Sequence, residues 1–408
     1  MFDLLIFDLL LMCFLGIGVG VFAGLLIGIH PNTISAFMLS ISATLLSLFP
    51  IQAVVVFLVS MAISNVFLSI IPNIFIGMPD SDNVLSVLPG HRYLLEGRGY
   101  EAVYLSVIGG VGVIILSILL LPVLFFILPF TYLFVKGYIA WALVFVVLMM
   151  VMTEKGWKKL PALIVFILSG FLGWLSFSPP FSSQHILFPL LTGLFGISLL
   201  IIGGFSKNKI PPQVFHLPRL SRSAAGSGIS KGFFSGLIVG ILPGIGPSQA
   251  GVVVHQFSRK RKMNEFLIAL GGISAVSTLF SLLSLYLIQK PRSGVAVAIE
   301  RIAGGIDFNG FLLLVATSLF VTGISVIITL KLAKGFAGFI QKLDYNLLVK
   351  TILLFLIAMT FALTGPFGLL VLTTATAIGL LGPLLHIKRT HAMGCLILPI
   401  ILWGIGFS

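Results

Sequence analysis

The chain has 408 residues, of which 58% are hydrophobic and 9% charged, and it carries a formal charge of +13. Soluble domains hold about 25% charged residues, so this composition excludes a soluble globule. Nucleic acid is excluded as a partner too, because the basic residues cluster in short loops between apolar runs, as Lys155, Lys158 and Lys159, then Lys207, Lys209, Arg219, Arg222 and Lys231, then Arg259, Lys260, Arg261 and Lys262. The positive-inside rule gives that distribution to the cytoplasmic loops of a multi-pass membrane protein.

The first apolar run carries Asp3 and Asp8 where a secretory signal would carry basic residues, so it is read as part of the mature protein. It continues into a glycine stripe, Gly16, Gly20, Gly24 and Gly28, closed by Pro31 and followed by Asn32, Thr33, Ile34 and Ser35. Crossings are then expected at about 51–76, 103–128, 130–153, 161–177 and 186–204, each near the ~20 residues that span ~30 Å of hydrocarbon. A polar loop, 77–102, separates the first two, and a basic linker, 206–230, follows the fifth.

The stripe then recurs with identical spacing as Gly228, Gly232, Gly236, Gly240 and Pro243, followed by Gly244, Ile245, Gly246, Pro247 and Ser248. Further crossings are expected at about 264–288, 309–330, 351–363, 366–386 and 391–407. Small residues every fourth position serve close helix packing. The proline and glycine clusters after the stripes do something else: they interrupt a helix in mid-segment. Non-helical backbone at membrane depth is tolerated only inside protein or along a cavity, and paired broken helices in two halves point to a transporter site.

Charge fixes the expected topology. Lys231 and the Arg259–Lys262 cluster flank the Pro243 segment and are both cytoplasmic by rule. The about 25 residues between them are too few for two crossings, which need about 40. The segment therefore enters and returns as a re-entrant hairpin. Counting back through the crossings puts both ends of the Pro31 segment outside. The expected fold is an all-α polytopic membrane protein with two inverted-topology repeats, each a broken-helix hairpin plus about five transmembrane helices. The first repeat spans 1–205 (hairpin about 14–49), the cytoplasmic linker 206–230, and the second repeat 231–408 (hairpin about 232–256).

Backbone amides at Gly244, Ile245, Gly246 and Ser248, in the segment interrupted by Pro243 and Pro247, suit an anionic carboxylate at a helix N-terminus, against the alternative of a tight hinge with no ligand. Asn32, Thr33 and Ser35, which follow Pro31, are their counterparts, offering side-chain donors or oxygens for sodium, against the alternative of simple helix capping. Asn65 and Ser277 are the polar candidates from the neighbouring crossings, beside Ser64, Asn73, Ser274 and Thr278. His30 reads as a packed histidine rather than a proton carrier, and Asp80 and Asp82 as solvated turn residues, with cation binding as the alternative. No catalytic or metal set is found: there is no His-Glu-x-x-His motif, and Ser235 lacks a base. Cys13 and Cys395 lie in apolar runs and give no disulfide framework.

These features resemble the TctA family, the large membrane subunit of tripartite tricarboxylate transporters. The resemblance is carried by Pro243-Gly244-Ile245-Gly246, by Pro79-Asp80-Ser81-Asp82 with Pro89-Gly90, Gly97-Arg98-Gly99 and Ala102, by Leu168 to Gly173 with Leu194 to Ile197, and by the tail from Gly379 to Pro399. Pro31-Asn32-Thr33-Ile34 departs from the Pro-Gly-Leu-Gly typical of the first motif, and the chain is shorter than familiar bacterial members. The resemblance implies a secondary transporter, with elevator-type motion by analogy. The function expected is ion-coupled transport of a small carboxylate across the cytoplasmic membrane, with a sodium ion or proton as coupling ion and no other cofactor. The alternative is a translocase for a lipid-linked phosphate. Expected partners are the anionic substrate and membrane lipid. A small membrane subunit, an extracytoplasmic binding protein and a homodimer are all compatible with the sequence.

Overall fold

The structure is a computed structural model that describes residues 2–26, 31–77, 84–135, 137–178, 186–204, 211–215, 220–241, 246–248, 250–252, 263–340 and 345–406. The first half holds α1 (Phe2–Leu25), α2 (Pro31–Ser40), α3 (Ser42–Leu48), α4 (Ile51–Phe75), α5 (Val84–Leu95), α6 (Gly99–Leu119), α7 (Leu121–Val135), α8 (Ile139–Met152) and α9 (Lys159–Phe177), then α10 (Leu187–Leu191) and α11 (Ser198–Gly204), joined by a π-helical turn at Thr192–Ile197. The second half holds α12 (Arg222–Ile241), α13 (Met263–Ile288), α14 (Gly294–Ala303), α15 (Phe308–Ile340), α16 (Tyr345–Leu384) and α17 (Gly394–Gly404). Among the described residues there is no strand, and seven helices are long and apolar enough to cross a membrane.

Several elements differ from the expected pattern for local reasons. The apolar run 103–128 divides at Leu120, because Pro122 in the first turn of α7 cannot donate to the preceding turn. The polar loop 77–102 contains α5, whose Val87, Tyr93 and Leu94 are buried. The break expected between 363 and 366 is a kink inside α16, where Gly365 takes φ +64° ahead of Pro366. The linker is tied down at 211–215. Gln213 accepts from the Gly99 amide at 2.9 Å and donates to the Leu94 carbonyl at 3.0 Å, and the Val214 amide donates to Gly97 at 2.8 Å. The α5–α6 turn and the linker, both read as cytoplasmic from charge, therefore touch.

Two rods form the centre. Every residue of α4 from Ala53 to Phe75 is buried, and so is most of α13. The glycine stripes lie against them. A methyl group added at Gly16 would meet the Phe57 carbonyl oxygen at 2.5 Å, and one at Gly24 the Asn65 carbonyl oxygen at 2.8 Å. Backbone approaches this close require glycine and replace the hydrophobic drive that lipid does not supply.

The facing pairs also set directions. Gly16 faces Phe57 and Ser60, Gly20 faces Met61 and Ser64, and Gly24 faces Asn65 and Leu68, so α1 and α4 run the same way. Gly228 faces Glu265 and Ile268, Gly232 faces Ala269, Gly236 faces Val276, and Gly240 faces Phe280, so α12 and α13 also run the same way. Helix α6 opposes α4, with Gly99 on Phe75 and Gly110 on Phe67. It runs with α13: Tyr93 hydrogen-bonds Asn264, Gly271 lies on Ser106, Gly110 on Ala275, and the Phe125 and Tyr286 rings meet at 5.9 Å. The α1–α4 pair and the α12–α13 pair are thus directed oppositely.

The outer helices exchange in the same manner. Helix α9 packs on α17 through Gly170, Gly173 and Gly394, while the π-helical turn packs on α16 through Gly193 and Gly379. At the start of this region Glu154 Oε1 lies 3.1 Å from His391 Nε2 and accepts from the Lys388 amide at 3.2 Å, closing the loops that precede α9 and α17 onto each other.

Candidate substrate site

Both helix breaks lie beside the central rods. Helix α1 ends at Leu25 and α2 begins at Pro31, where a residue without an amide hydrogen costs no helix bond. Helix α12 ends at Ile241, and a new helical turn opens at Gly246, whose carbonyl accepts from Ala250 at 3.2 Å with Pro247 in its first turn. By Gly251 the chain has returned beside Leu270.

Hydrogen bonds from α13 and the loop after it reach both breaks. Ser284 donates to the Gly240 carbonyl at the end of α12. One turn earlier, Ser281 donates to Ser293 at 3.0 Å and accepts from the Arg292 amide at 3.2 Å. Ser293 is the N-cap of α14 and also accepts from the Ala296 amide at 3.2 Å, a strong helix-start device. The Gly294 amide then donates to Asn32 Oδ1 at 3.0 Å, reaching the first break.

The residues named from sequence stand as follows. Pro31 is buried, Asn32 makes the bond to Gly294, and Ser35 is fully buried with its hydroxyl unpartnered. The Thr33 side chain, His30, Asp80, Asp82, Pro243, Gly244 and Ile245 lie outside the described residues. Pro247 and Ser248 are buried and Gly246 is half-buried. Asn65 is buried in α4, while Ser277 spends its hydroxyl on the Ser274 carbonyl at 2.7 Å. Among the described residues no group of three His, Cys, Asp or Glu could hold a metal ion. Cys13 and Cys395 are free and buried.

Ser281, Ser284, Arg292, Ser293 and Gly294 were not singled out, although a signal for them exists. The separation of Gly16 from Gly228, 212 positions, also carries Pro79 onto Pro291, Ser81 onto Ser293 and Asn65 onto Ser277. It carries Ile51 onto Met263, so the starts of α4 and α13 coincide under the same offset. It even matches backbone conformation, since Gly77 has φ +74° and Gln289 has φ +51°. A non-glycine residue in that region is uncommon and marks a position that its surroundings hold in place.

The helix content and the seven apolar span-length helices define a multi-pass α-helical membrane protein. The chain belongs to the tripartite tricarboxylate transporter TctA family, whose model matches residues 10–394. It is 31% identical to the uncharacterized protein MJ1079 of Methanocaldococcus jannaschii over 97% of this chain and 98% of that protein. No solved structure matches it.

Proposed function

We propose that this protein is a secondary active transporter of a small carboxylate, ion-coupled and working by alternating access across the cytoplasmic membrane, with substrate held at the two helix breaks. The single observation that carries the reading is that α13 and the segment after it bond to both breaks, Ser284 to Gly240 at one and Gly294 to Asn32 at the other, with Ser281 bonded to Ser293 between them. It draws together two interruptions that belong to opposed helix pairs. Opposed pairs with midplane breaks are the arrangement in which transporters carry substrate between repeats.

The repeats themselves are part of the proposal: 1–205 and 231–408, each opening with a re-entrant hairpin. Support comes from helix direction. Because α1 and α4 run the same way, α2 and α3 bring the chain back between them, as the returning arm of a helical hairpin does. The opposite direction of α12 and α13 supports inversion. The family works in tripartite assemblies, and a small membrane subunit and a binding protein are proposed partners of this chain.

The test is uptake of radiolabelled citrate and malate by proteoliposomes, with and without a sodium gradient and with and without a proton gradient. Gradient-dependent accumulation is expected, and it should be lost in Gly246→Val while membrane insertion persists. Unaltered uptake by Gly246→Val would remove the breaks from the substrate site.

A further inference from the structure

We infer that Arg292 is the positive group that receives a carboxylate of the substrate; the inference rests on the carboxylate-transporter reading above. It begins with the path of the backbone. After α13 the chain does not run on past the helix end. Gln289 turns it through φ +51°, the Lys290 amide donates to the Ser284 carbonyl at 3.5 Å, and the Arg292 amide donates to Ser281. Arg292 is thereby held alongside α13, level with Ser281. Ionisable residues at membrane depth are costly and mark substrate or ion pathways.

The guanidinium is then left unsatisfied in a specific way. Nε and Nη2 are both buried and neither has a hydrogen-bond partner. Among the described residues no carboxylate forms an ion pair with it. Nε and Nη2 form one edge of the guanidinium, with two parallel N–H bonds spaced to meet both oxygens of a carboxylate. Leaving a charged donor pair buried and empty is expensive, and a bound carboxylate satisfies both donors at once. The Tyr132 ring lies 5.0 Å from the guanidinium carbon. It holds the plane by cation–π attraction while leaving that edge free.

The surroundings agree. Arg292 sits between Ser281 and Ser293, next to Gly294, which bonds Asn32 of the first break. One turn along α2 from Asn32 is Ser35, buried and with an unpartnered hydroxyl that supplies a further donor for the same ligand. The repeat adds an independent argument. The 212-position offset places Asp80 opposite Arg292 in the order of the chain, within Pro79-Asp80-Ser81 against Pro291-Arg292-Ser293. Of two otherwise matching tripeptides, only the second carries a cation, as a site for one anion between two similar halves requires.

The experiment uses the full chain purified in detergent, with citrate as probe and malate, acetate, inorganic phosphate and phosphatidylglycerol micelles as comparisons. Citrate affinity is expected to weaken by roughly 10- to 100-fold in Arg292→Gln and less in Arg292→Lys, with ligand-free melting little changed in Arg292→Lys. A second arm uses the unaltered protein: citrate should slow modification of Arg292 by phenylglyoxal, followed at that residue by peptide mass spectrometry. If the wild type binds citrate or malate and both Arg292 variants bind it equally well, or citrate leaves Arg292 unprotected from phenylglyoxal, the assignment to Arg292 falls while the carboxylate reading stands. If the wild type binds none of the three carboxylates, the transporter reading and this one fall together. Stabilisation by phosphate or phosphatidylglycerol alone overturns the carboxylate class.

Discussion

Asn32 and Gly294 lie 262 positions apart, and the Gly294 amide donates to Asn32 Oδ1 at 3.0 Å. The bond ties the first break to the start of α14 and gives Asn32 an acceptor's role. Asn32→Asp preserves the acceptor but places a negative charge where an anion is to bind. Its expected phenotype is normal insertion and near-normal melting, with uptake of carboxylate reduced at least about tenfold. Asn32→Ala removes the bond and is expected to cost about 1 kcal/mol. Proteoliposome uptake and thermal unfolding, measured on both variants, separate the two effects. Wild-type uptake by Asn32→Asp would show that Asn32 does not border the substrate.

The glycine stripe yields a paired prediction on stability. A methyl group at Gly20 would collide with the Ser64 hydroxyl and the Met61 carbonyl, whereas one at Gly18 meets nothing within 4 Å. Gly20→Ala should therefore force α1 away from α4 and destabilise by about 1–3 kcal/mol. Gly18→Ala, on the exposed side of the same helix, should be neutral or stabilising by up to about 1 kcal/mol through helix propensity. Thermal unfolding in detergent checks the contrast. Equal losses at both positions would mean that the stripe does not set the α1–α4 contact.

The positions of the two breaks were legible because proline after a four-residue glycine period has a direct backbone meaning. At 363–366 only the place of the interruption was legible: the crossings expected at 351–363 and 366–386 are joined in one helix kinked at Gly365 ahead of Pro366. What was not legible is what a break touches. Asn32 finds Gly294, and Ser281 finds Ser293, through contacts that no periodicity encodes. Arg292 escaped notice because one basic residue at the end of an apolar run looks like any loop charge. Only the fold-back at Gln289 brings it level with Ser281. The division at Leu120 was hidden inside a continuous apolar run, where hydropathy does not register a missing amide hydrogen at Pro122. Helix α5 was hidden because its buried face is short and its neighbours are polar.

The opposed hairpins proposed above predict sidedness. Ser47, exposed near the end of α3, belongs to the base of the first hairpin. Ser258 stands next to the Arg259–Lys262 cluster in the sequence. With both native cysteines buried, Ser47→Cys should react with an impermeant thiol reagent on intact cells. Ser258→Cys should react only after permeabilisation. Labelling of both from one side would leave two parallel repeats and remove the inverted arrangement.

The loops closed by Glu154 predict how stability varies with pH. Burial pushes the Glu154 carboxyl up, but the His391 ring, the Lys388 amide and the Lys388 ammonium outweigh it and hold it below the ordinary glutamate value. A carboxyl held low is ionised more readily in the folded protein than in the unfolded chain. Its contribution is therefore present above the unfolded value, about 4.3, and is lost as pH falls from there through the lower folded value. Wild-type melting should accordingly drop as pH is lowered through this range. In Glu154→Gln it should start a few degrees lower at neutral pH and follow a flatter course, because glutamine cannot ionise. The two curves should converge in acid, where the wild-type carboxyl is protonated and makes the same neutral contacts. Parallel curves across the whole range would show that the Glu154–His391 contact does not depend on charge, and that the loops before α9 and α17 are held together by packing alone.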